Sequence, residues 1–549
     1  MKRVVIIPWL LLVSTTVVAQ HSDMQMKSAP EKPATLVPGV GSVHHPVSTR
    51  NVEAQRFFDQ GLAFVYAFNH DEAIRSFKRA AELDPQMAMA WWGVALALGP
   101  NINIDVDPER EKAAYDATQK ALTLAKNGPD NERAYIEALA RRYSLDRKAD
   151  LKKLAVDYKN AMGELVKSYP DDLDAATLYA ESAMDLRPWQ PWSADGKPAE
   201  GTEEIVAVLE SVLRRNPNHP GAIHYYIHTI EASPSPERAL AYASTLPKLI
   251  PAAGHLVHMP AHIYARTGDY DEAARSNLDA AAADEAYLKS SGDQGIYLAM
   301  YYSHNLHFLA IANTTQGRLA EAMKAAGRLE SNVNPRLKEM PMLEGFLTVS
   351  PLILVRFNRW DDIQKLPQPD PKLFGINAVW HFARGMAYAS SGDAAKASVE
   401  QQAFAGWVKK IPADAPFGLN PATKIMSIAD AVLTARVAAA KGDSRTAIDS
   451  LHQAVELEDS LAYDEPQTWF LPVREMLGAA LMKQGDFGAA ERVFRDDLLR
   501  NRRNGRSLFG LMESLKVQKK DYPASMVQQE FANAWKSADV RLTVKDLWR

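Results

Sequence analysis

Cysteine is absent from the 549-residue chain. The protein therefore has no disulfide bond and no thiol nucleophile, and any metal ion must be bound without thiolate ligands. The sequence also lacks a G-x-S-x-G elbow, a phosphate-binding loop, a dinucleotide-binding fingerprint and an H-E-x-x-H motif. These absences count against a thiol enzyme, a typical serine hydrolase, a nucleotide-dependent enzyme and a typical zinc peptidase.

A strong excess of one charge is also missing, since 63 basic residues face 67 acidic ones. Nucleic-acid binding needs a clustered basic excess, so we expect no nucleic-acid partner. No apolar stretch reaches the roughly 18 residues that a membrane-spanning helix needs, so we expect no membrane span. Because 47% of the residues are hydrophobic, the chain can nevertheless build a large core.

The N-terminus has the pattern of a secretory signal. Lys2 and Arg3 form a basic start, residues 4–13 are apolar apart from one proline, and a small-residue cleavage site ends at Ala19. This pattern predicts a signal peptide over residues 1–19 that is cleaved after Ala19. We therefore expect an exported protein, either periplasmic or secreted.

The mature chain divides into a short polar leader and a long helical part. Residues 20–50 are rich in proline, serine and glycine, which predicts a flexible leader. From Glu53 onward, apolar residues recur at spacings of 3 and 4, and the alternation typical of strands is absent. This periodicity predicts an all-α fold.

A 34-residue repeat organises the helical part. In residues 54–87, small and aromatic residues stand at positions 4, 8, 11, 20, 24, 27 and 32 of the unit: Phe57, Gly61, Phe64, Ala73, Phe77, Ala80 and Pro85. Small residues let two antiparallel helices approach closely, aromatic rings fill the space beside them, and the proline ends the second helix. This pattern resembles the tetratricopeptide repeat.

Turn signatures, mostly glycine followed by aspartate, place further units at 220–253, 254–287, 303–336, 378–411, 428–461 and 471–504. The resemblance implies a right-handed α-solenoid over residues 51–549 with a concave groove on its inner side. In the segments 68–73 and 258–264 the chain also resembles a group of exported bacterial tetratricopeptide proteins. That group has no assigned activity.

Histidines are concentrated in one region, because 8 of the 14 lie between positions 219 and 307. Seven of them are spaced by 3 or 4 residues within three helices: His224 and His228; His255, His258 and His262; His304 and His307. Such spacings place side chains on one face of a helix. Histidine pairs with this spacing can hold one metal ion from one side.

The repeat register gives these histidines a common location. They occupy positions 2, 5 and 9 of the first helix in their units, and the resemblance implies that these positions line the concave groove. Neighbouring helices lie about 8–10 Å apart, so ligands from two helices can share an ion. His255 and His262 are separated by about 10 Å along their helix, too far for one ion. The pattern therefore predicts either two ions, or one ion supported by further histidines.

Other residues are candidates for the same groove. Glu231, at position 12 of its helix, is a candidate catalytic base, carboxylate ligand or anchor for a ligating histidine. Glu181 is a further groove candidate, and Trp189 and Trp192 lie in a proline-rich loop that we place at the groove lip, where they could contact a ligand. The alternative is a histidine-lined groove without metal, in which the rings bond to each other or to an acidic peptide.

The histidine-rich ligand set favours copper or iron and is also compatible with zinc. Its ligand count resembles that of coupled dicopper proteins, in which three histidines hold each ion. We therefore predict a metalloprotein with one or two ions that catalyses oxidation of a small molecule in the groove. The alternatives are a non-catalytic periplasmic scaffold that binds a peptide or protein, and a metal carrier.

Overall fold

A computed structural model describes residues 34–292 and 295–548 of the chain. The predicted signal peptide, residues 1–19, and the first part of the predicted leader, residues 20–33, lie outside the described residues. Helices make up 69% of the structure, which confirms the predicted all-α fold. The strands in the described part are β1 (Pro416–Phe417) and β2 (Asn420–Pro421), which form one short antiparallel hairpin.

The helices follow one another as packed pairs, which is the arrangement of a helical solenoid. The first part of the chain contains α1 (Val52–Tyr66), α2 (His70–Leu83), α3 (Ala88–Leu98), α4 (Pro108–Leu124), α5 (Asp130–Leu139), α6 (Leu151–Ser168), α7 (Leu173–Met184) and α8 (Thr202–Arg215). The central part contains α9 (Pro220–Ile230), α10 (Leu240–Ala243), α11 (Leu246–Leu249), α12 (Gly254–His258), α13 (Pro260–Thr267), α14 (Tyr270–Ser291), α15 (Ser303–Thr315) and α16 (Leu319–Val333). A π-helical segment, Tyr297–Tyr302, leads directly into α15.

The C-terminal part continues the same pattern to the end of the chain. It contains α17 (Glu344–Leu347), α18 (Val349–Arg356), α19 (Trp360–Lys365), α20 (Phe374–Ser390), α21 (Ala394–Val408), α22 (Ala422–Ala440), α23 (Ser444–Asp459), α24 (Val473–Gln484), α25 (Phe487–Arg500), α26 (Gly505–Val517), α27 (Asp521–Ala534) and α28 (Val544–Trp548). In the described residues, no helix combines the length and the apolar character needed to cross a membrane.

The first repeat unit shows why small residues recur in this sequence. The ring of Phe77 lies between α1 and α3, and a Cβ added at Gly61 or Gly93 would come within 2.7 or 2.5 Å of that ring. Asn51 starts α1 by accepting hydrogen bonds from the backbone N–H groups of Glu53 and Ala54. The glycines therefore allow the close helix packing on which the repeat depends.

Helix pairs stand at each of the seven units located from the sequence, and the structure adds others. The added pairs are α3 with α4, α5 with α6, α7 with α8, α18 with α19, and α26 with α27. Loops of unequal length separate the helices before residue 220, which is why the regular repeat spacing is lost there. In the unit at 220–253, the second helix is broken into a 3₁₀ turn, Pro236–Ala239, followed by α10 and α11.

The leader requires a correction, because residues 34–50 lie against the solenoid. The side chain of Gln60 accepts a hydrogen bond from the N–H of Val37 at 2.7 Å and donates to the backbone oxygen of Thr35 at 3.0 Å. The backbone oxygen of Gly39 accepts from Ala252 N–H at 3.0 Å, and the buried ring of His45 lies 2.9 Å from a carboxylate oxygen of Asp174. These contacts satisfy backbone groups, so this part of the predicted flexible leader is anchored.

The C-terminal helices return to the central part of the chain. The indole of Trp535 packs against Gly317, and the carboxylate of Asp539 accepts from the N–H groups of Leu319 and Ala320 at 2.8 Å each. The loop between α23 and α24 also reaches the central part of the chain. The hydroxyl of its Tyr463 lies 3.2 Å from a Glu231 carboxylate oxygen. This loop therefore contacts the histidine-bearing helices.

Candidate metal centre

Six histidines form two sets of three. The first histidine group consists of His224, His228 and His255, and the second histidine group consists of His258, His262 and His304. Within each group, one ligand atom per residue lies within 4.8 Å of the others. Each set is therefore compact enough to hold one metal ion.

Local helix geometry brings the members of each group together. His224 and His228 lie one turn apart on α9. Met259, the one residue between α12 and α13, has helical backbone angles (φ −50°, ψ −36°), so the two helices run on almost continuously. His255 and His262 fall into different groups, in agreement with their separation along this helix.

The ring nitrogens within each group approach one another through Nε2. In the second histidine group, the Nε2 atom of His258 lies 2.7 Å from that of His262 and 3.1 Å from that of His304. In the first, the Nε2 atoms of His224 and His255 are 3.0 Å apart. The imidazole edges that can bind a metal ion therefore converge in both groups.

Two outer nitrogens are held by acceptors that fix the position of the proton. The Nδ1 of His224 donates to the backbone oxygen of Tyr66 at 2.7 Å. The Nδ1 of His258 donates to the side-chain oxygen of Asn277 at 2.7 Å, and the amide of Asn277 is oriented by its own bond to Ala273 O at 2.8 Å. Because Nδ1 carries the proton in both rings, Nε2 presents a free lone pair to its group.

Glu231 connects the two groups. One of its carboxylate oxygens accepts from the Nδ1 of His228 at 2.8 Å, and the other accepts from the Nδ1 of His262. Of the three roles open to Glu231 in the sequence analysis, this geometry supports the anchor. We therefore correct its assignment as the catalytic residue, because both oxygens bond to the outer side of metal-ligand candidates.

The electrostatics keep most of these rings neutral. Burial, together with neighbouring histidines, lowers the pKa of His224, His255, His258 and His304 well below the ordinary value. For the remaining two rings, burial lowers the pKa of His228, whereas the Glu231 carboxylate overcomes burial and raises the pKa of His262.

The pKa of Glu231 is correspondingly low. Burial alone would raise it, but the charges and hydrogen bonds of His262 and His228 outweigh burial and hold the pKa well below its usual range. A neutral imidazole is the form that binds a metal ion, and an ionised carboxylate increases the basicity of the ring it anchors. Both conditions favour metal binding at neutral pH.

The inward-facing lone pairs require a cation. His258 and His262 both use Nδ1 as a donor, so their Nε2 atoms can share the 2.7 Å space only with a proton or a metal ion between them. The Nε2 of His228 has no hydrogen-bond partner among the described residues, although the ring is buried. Three imidazole nitrogens in each group can thus serve one metal ion at bond lengths of about 2.0–2.1 Å.

The two histidine groups adjoin one another. The ring centroids of His228 and His262 are 5.5 Å apart, and those of His255 and His258 are 5.9 Å apart. Phe68 covers the first group, with its ring centroid 4.5 Å from that of His224, and Phe308 covers the second, 5.4 Å from His258. The site is therefore one aromatic-walled centre with two sets of ligands.

His307 requires a correction, because it belongs to neither group. It lies one helical turn beyond His304 on α15, and its ring packs edge-on against Phe346 with centroids 5.5 Å apart. Burial lowers the pKa of His307 to about 4. The spacing of three residues predicts that His307 lies on the same side of the helix as His304. The packing of Phe346 against it keeps the ring of His307 out of the site.

The two loop tryptophans have different roles. The edge of Trp189 meets the ring of His228, with centroids 5.2 Å apart. The indole N–H of Trp192 instead donates to the backbone oxygen of Thr229 at 2.7 Å, which attaches the loop to α9. Trp189 thus borders the centre, and Trp192 holds the loop.

Glu181, a further groove candidate in the sequence analysis, belongs to neither histidine group. It is buried with Asp185 and Arg142, and the latter two form an ion pair at 2.5 Å. Burial and the neighbouring charge of Asp185 raise the pKa of Glu181 well above its usual range. α7 packs against α6, α8 and the histidine-bearing α9, so the neighbours of this side chain, Asp185 and Arg142, separate Glu181 from the histidine groups, and the position of the helix does not.

A third set of potential ligands, His45, Asp172 and Asp174, is already paired within the protein. Asp174 accepts from His45, His219 and the hydroxyl of Tyr66, and Asp172 accepts from the hydroxyl of Tyr135 at 2.8 Å. These contacts explain the set as the attachment of the N-terminal segment to the solenoid.

Several residues of the centre have no signal in the sequence. Asn277 comes from α14, the second helix of its unit, where it is buried among alanines. Tyr66 contributes through its backbone oxygen, and Tyr463 arrives from 232 positions beyond Glu231. These contacts depend on the winding of the solenoid.

Comparisons with known proteins concern architecture. No family model matches the chain, and no curated protein matches it. Similar solved structures include the human IFIT1 dimer with m7Gppp-AAAA, with 13% identity, a TM-score of 0.35 and coverage of 90% of this chain and 92% of that chain. The Cut9-Hcn1 structure of the APC/C has 14% identity and a TM-score of 0.30, with coverage of 86% of this chain and 78% of that chain. Yeast Tom70 has 14% identity and a TM-score of 0.30, with coverage of 87% of this chain and 96% of that chain.

These neighbours are helical repeat proteins of the tetratricopeptide type. The ligand m7Gppp-AAAA is a feature of the IFIT1 complex. In the present chain, the helix pairs define an all-α helical-repeat solenoid, and the converging imidazoles define two histidine groups that can hold a metal ion.

Proposed function

We propose that this protein is a metalloprotein that binds up to two transition-metal ions, one in each histidine group. The observation that carries this proposal is the convergence of imidazole nitrogens in two adjoining sets of three, with four outer Nδ1 atoms anchored by acceptors. A histidine that only fills a core needs a partner for each nitrogen. Nε2 atoms that face each other across 2.7–3.1 Å instead suit a shared proton or metal ion.

Copper is the metal that this ligand set favours, with iron as the next candidate. Both sets consist of imidazoles, and magnesium and calcium prefer oxygen ligands. The common non-haem iron site combines two histidines with one carboxylate, whereas in the described part of the chain the carboxylate bonded to these rings, that of Glu231, accepts from their outer nitrogens. Zinc is compatible with three histidines and is therefore one arm of the test.

We further propose that the bound metal catalyses oxidation of a small organic molecule, with dioxygen as the oxidant that takes up the electrons. Two adjoining three-histidine sets match, in ligand number, the coupled dicopper proteins. Phe68 and Phe308 make the surroundings apolar, which keeps water away from the ligands. A metal carrier would use the same ligands without a substrate, and a peptide-binding scaffold would need no metal.

Metal content is the first test. Protein purified without a histidine tag is reconstituted separately with copper, iron(II) and zinc, desalted, and analysed by elemental mass spectrometry. We expect one to two ions of copper or iron per chain. Metal below about 0.1 ion per chain with all three would overturn the proposal, because a preformed site of this kind should retain its ion.

Variants separate the two groups. We expect His258→Ala to lose the ion of the second histidine group and His224→Ala that of the first, each with an unchanged helical circular-dichroism spectrum. His307→Ala is the matched control, since it removes a neighbouring histidine that lies outside both groups. Equal metal loss in His307→Ala would contradict the assignment of the ligands, and unfolding of both ligand variants would show that these rings are structural.

Redox chemistry is tested on the reduced, metal-loaded protein. We expect an absorbance band that develops only when dioxygen is admitted and that is absent from His258→Ala. Metal that stays bound without any response to dioxygen would favour the carrier over the enzyme.

The proposal includes export of the protein. Its support is the basic and apolar start of the sequence, with the predicted cleavage after Ala19. N-terminal sequencing of protein recovered from a periplasmic or extracellular fraction is expected to begin at Gln20. An uncleaved chain that stays in the cytoplasm would contradict this part.

A further inference from the structure

A small cavity adjoins the second histidine group. Its volume is about 50 Å³, and its lining includes Arg266, Phe308, Arg356, Glu465 and Phe470. One water needs about 10–15 Å³ in a cavity, so this space accommodates about four waters or one molecule of similar size.

One wall of the cavity carries cationic donors with unused capacity. Arg356 is buried, its Nη atoms bond to Glu475 at 2.8 and 3.3 Å, and its Nε has no hydrogen-bond partner among the described residues. Arg266 donates to the backbone oxygens of Glu231 at 2.9 Å and Ser233 at 3.5 Å and has no carboxylate partner in the described part of the chain. A buried donor without an acceptor costs about 1–3 kcal/mol, so a bound acceptor would stabilise this wall.

Phe308 and Arg266 connect the cavity with the histidines. Phe308 lines the cavity, and its ring also packs on His262, with centroids 5.5 Å apart. Arg266 follows His262 by one turn of α13 and bonds to the backbone of Glu231, which anchors the same ring. A molecule in the cavity therefore lies one side chain away from the second histidine group.

We propose that this cavity binds the carboxylate of a short-chain organic acid and thereby serves as the substrate site of the centre. The inference rests on the proposed function for the role as a substrate, whereas the anion site stands on its own geometry. Arg266 and Arg356 supply the donors that a carboxylate accepts, Phe308 and Phe470 supply apolar contact for its carbons, and the volume limits the acid to about two or three carbons.

The protonation state of Glu465 affects binding of the carboxylate. Its carboxyl lines the same cavity and accepts from the hydroxyl of Tyr463 at 3.1 Å. Burial raises the pKa of Glu465 to about 7. A protonated Glu465 can donate to the bound carboxylate, whereas an ionised Glu465 repels it.

Binding of propionate tests the site without relying on metal. Propionate titrations are followed by saturation-transfer NMR on chelator-treated protein and again on metal-loaded protein. We expect saturable binding in both, a loss of at least tenfold in affinity in Arg266→Gln and Arg356→Lys, and equal or tighter binding in Glu465→Gln. One charge-assisted hydrogen bond contributes about this much to affinity.

Arg384→Gln is the matched control, because Arg384 is a half-buried arginine paired with Glu400 outside the cavity. Equal affinity in wild type and Arg266→Gln, no propionate binding at all, or equal competition by chloride and phosphate would each overturn the carboxylate site. If Arg356→Lys fails to fold, Arg266→Gln and Glu465→Gln with native circular dichroism still decide the matter. Propionate binding in protein that takes up no metal would support the anion site while the proposed function fails.

Discussion

The histidines of this protein differ from ordinary core histidines in how both ring nitrogens are used. In His258, for example, Nδ1 bonds to Asn277 at 2.7 Å while Nε2 faces the Nε2 of His262 at the same distance. Fixing the outer nitrogen turns the inner lone pair toward its neighbours and keeps the ring in one orientation. The acceptors that hold the outer nitrogens therefore distinguish these rings from core histidines as clearly as the converging inner nitrogens do.

Glu231 offers a test of this anchoring. In Glu231→Gln, the amide can accept one imidazole N–H through its oxygen but turns an NH₂ donor toward the other ring, so His228 or His262 loses its anchor. We expect metal affinity to fall by about 10–100-fold, measured by competition with a chelator.

The matched control is Glu210→Gln. Glu210 also accepts from two side chains, Tyr226 and Arg238, but it lies at the surface of α8. Unchanged metal affinity in Glu231→Gln, or an equal loss of affinity in Glu210→Gln, would contradict the role of Glu231 as the anchor of His228 and His262.

At the scale of elements, the position of α9 against α1 determines the first histidine group. A Cβ added at Gly221 would lie 2.5 Å from the ring of Tyr66, and the backbone oxygen of Tyr66 anchors His224. Glycine at this position is therefore required by the close approach of two helices.

Gly221→Ala is expected to force α1 and α9 apart. We predict a loss of about 1–3 kcal/mol in the free energy of unfolding, the usual cost of overpacking, and weaker metal binding by the first histidine group. Chemical denaturation and metal titration measure the two effects.

Gly327→Ala on α16 is the control, since an added Cβ there meets no atom within 4 Å. This change should leave stability unchanged or raise it by about 0.5–1 kcal/mol, because alanine favours a helix over glycine. A Gly221→Ala protein as stable as Gly327→Ala would show that the two helices can adjust without cost.

The N-terminal segment is a second element with a measurable attachment. The hydrogen bond and charge of Asp174 overcome burial and raise the pKa of His45 above 6.5, whereas the hydrogen bonds and charges of His219 and His45 together overcome burial and lower the pKa of Asp174 below 3.8. The raised histidine pKa contributes stability that is present below pH 6.5 and lost at higher pH, and the lowered aspartate pKa contributes stability above pH 3.8. The pair therefore stabilises most between these two values.

His45→Gln is expected to reduce stability by about 1.5–3 kcal/mol near pH 5.5 and by clearly less near pH 8.5. Thermal unfolding at the two pH values measures the difference. His44→Gln serves as the control, because the side chain of His44 is 60% exposed and its pairing with Asp59 should contribute little. A pH-independent effect of His45→Gln would contradict the ion pair.

At the scale of the whole molecule, the solenoid makes contacts between distant repeats. In a simple repeat array each unit touches only its neighbours. Here Trp535 packs on Gly317, Asp539 bonds to the start of α16, and Tyr463 reaches Glu231. The C-terminal repeats therefore support the centre that the middle repeats carry.

Trp535→Ala is expected to weaken the contact between the C-terminal helices and the turn before α16. Loss of a large, partly buried ring should cost about 2 kcal/mol and speed amide exchange both in α26–α27 and at the turn before α16. Hydrogen-exchange mass spectrometry shows the effect, with Leu499→Ala, at a side chain that is 78% exposed, as the control. Faster exchange confined to the last repeat would mean that the distant contacts do not couple the two regions.

The amino-acid sequence by itself determined the local features of this protein. Apolar residues at spacings of 3 and 4 specify helices, and Gly61 and Phe77 specify how the first pair packs, because both effects act between residues close in the chain. In the same way, spacings of 3 and 4 placed the histidines on common helix faces, and the distance between His255 and His262 excluded a single ion.

The tertiary structure alone decided how those faces meet. In the structure, six histidines form two groups and His307 lies outside both. The carboxylate of Glu231 bonds to outer ring nitrogens, and Asn277 and Tyr463 contact the centre. The tertiary structure also attached residues 34–50, whose composition predicted flexibility. The physical reason is that helix geometry fixes a side chain's direction locally, whereas its partner depends on the winding of many packed repeats.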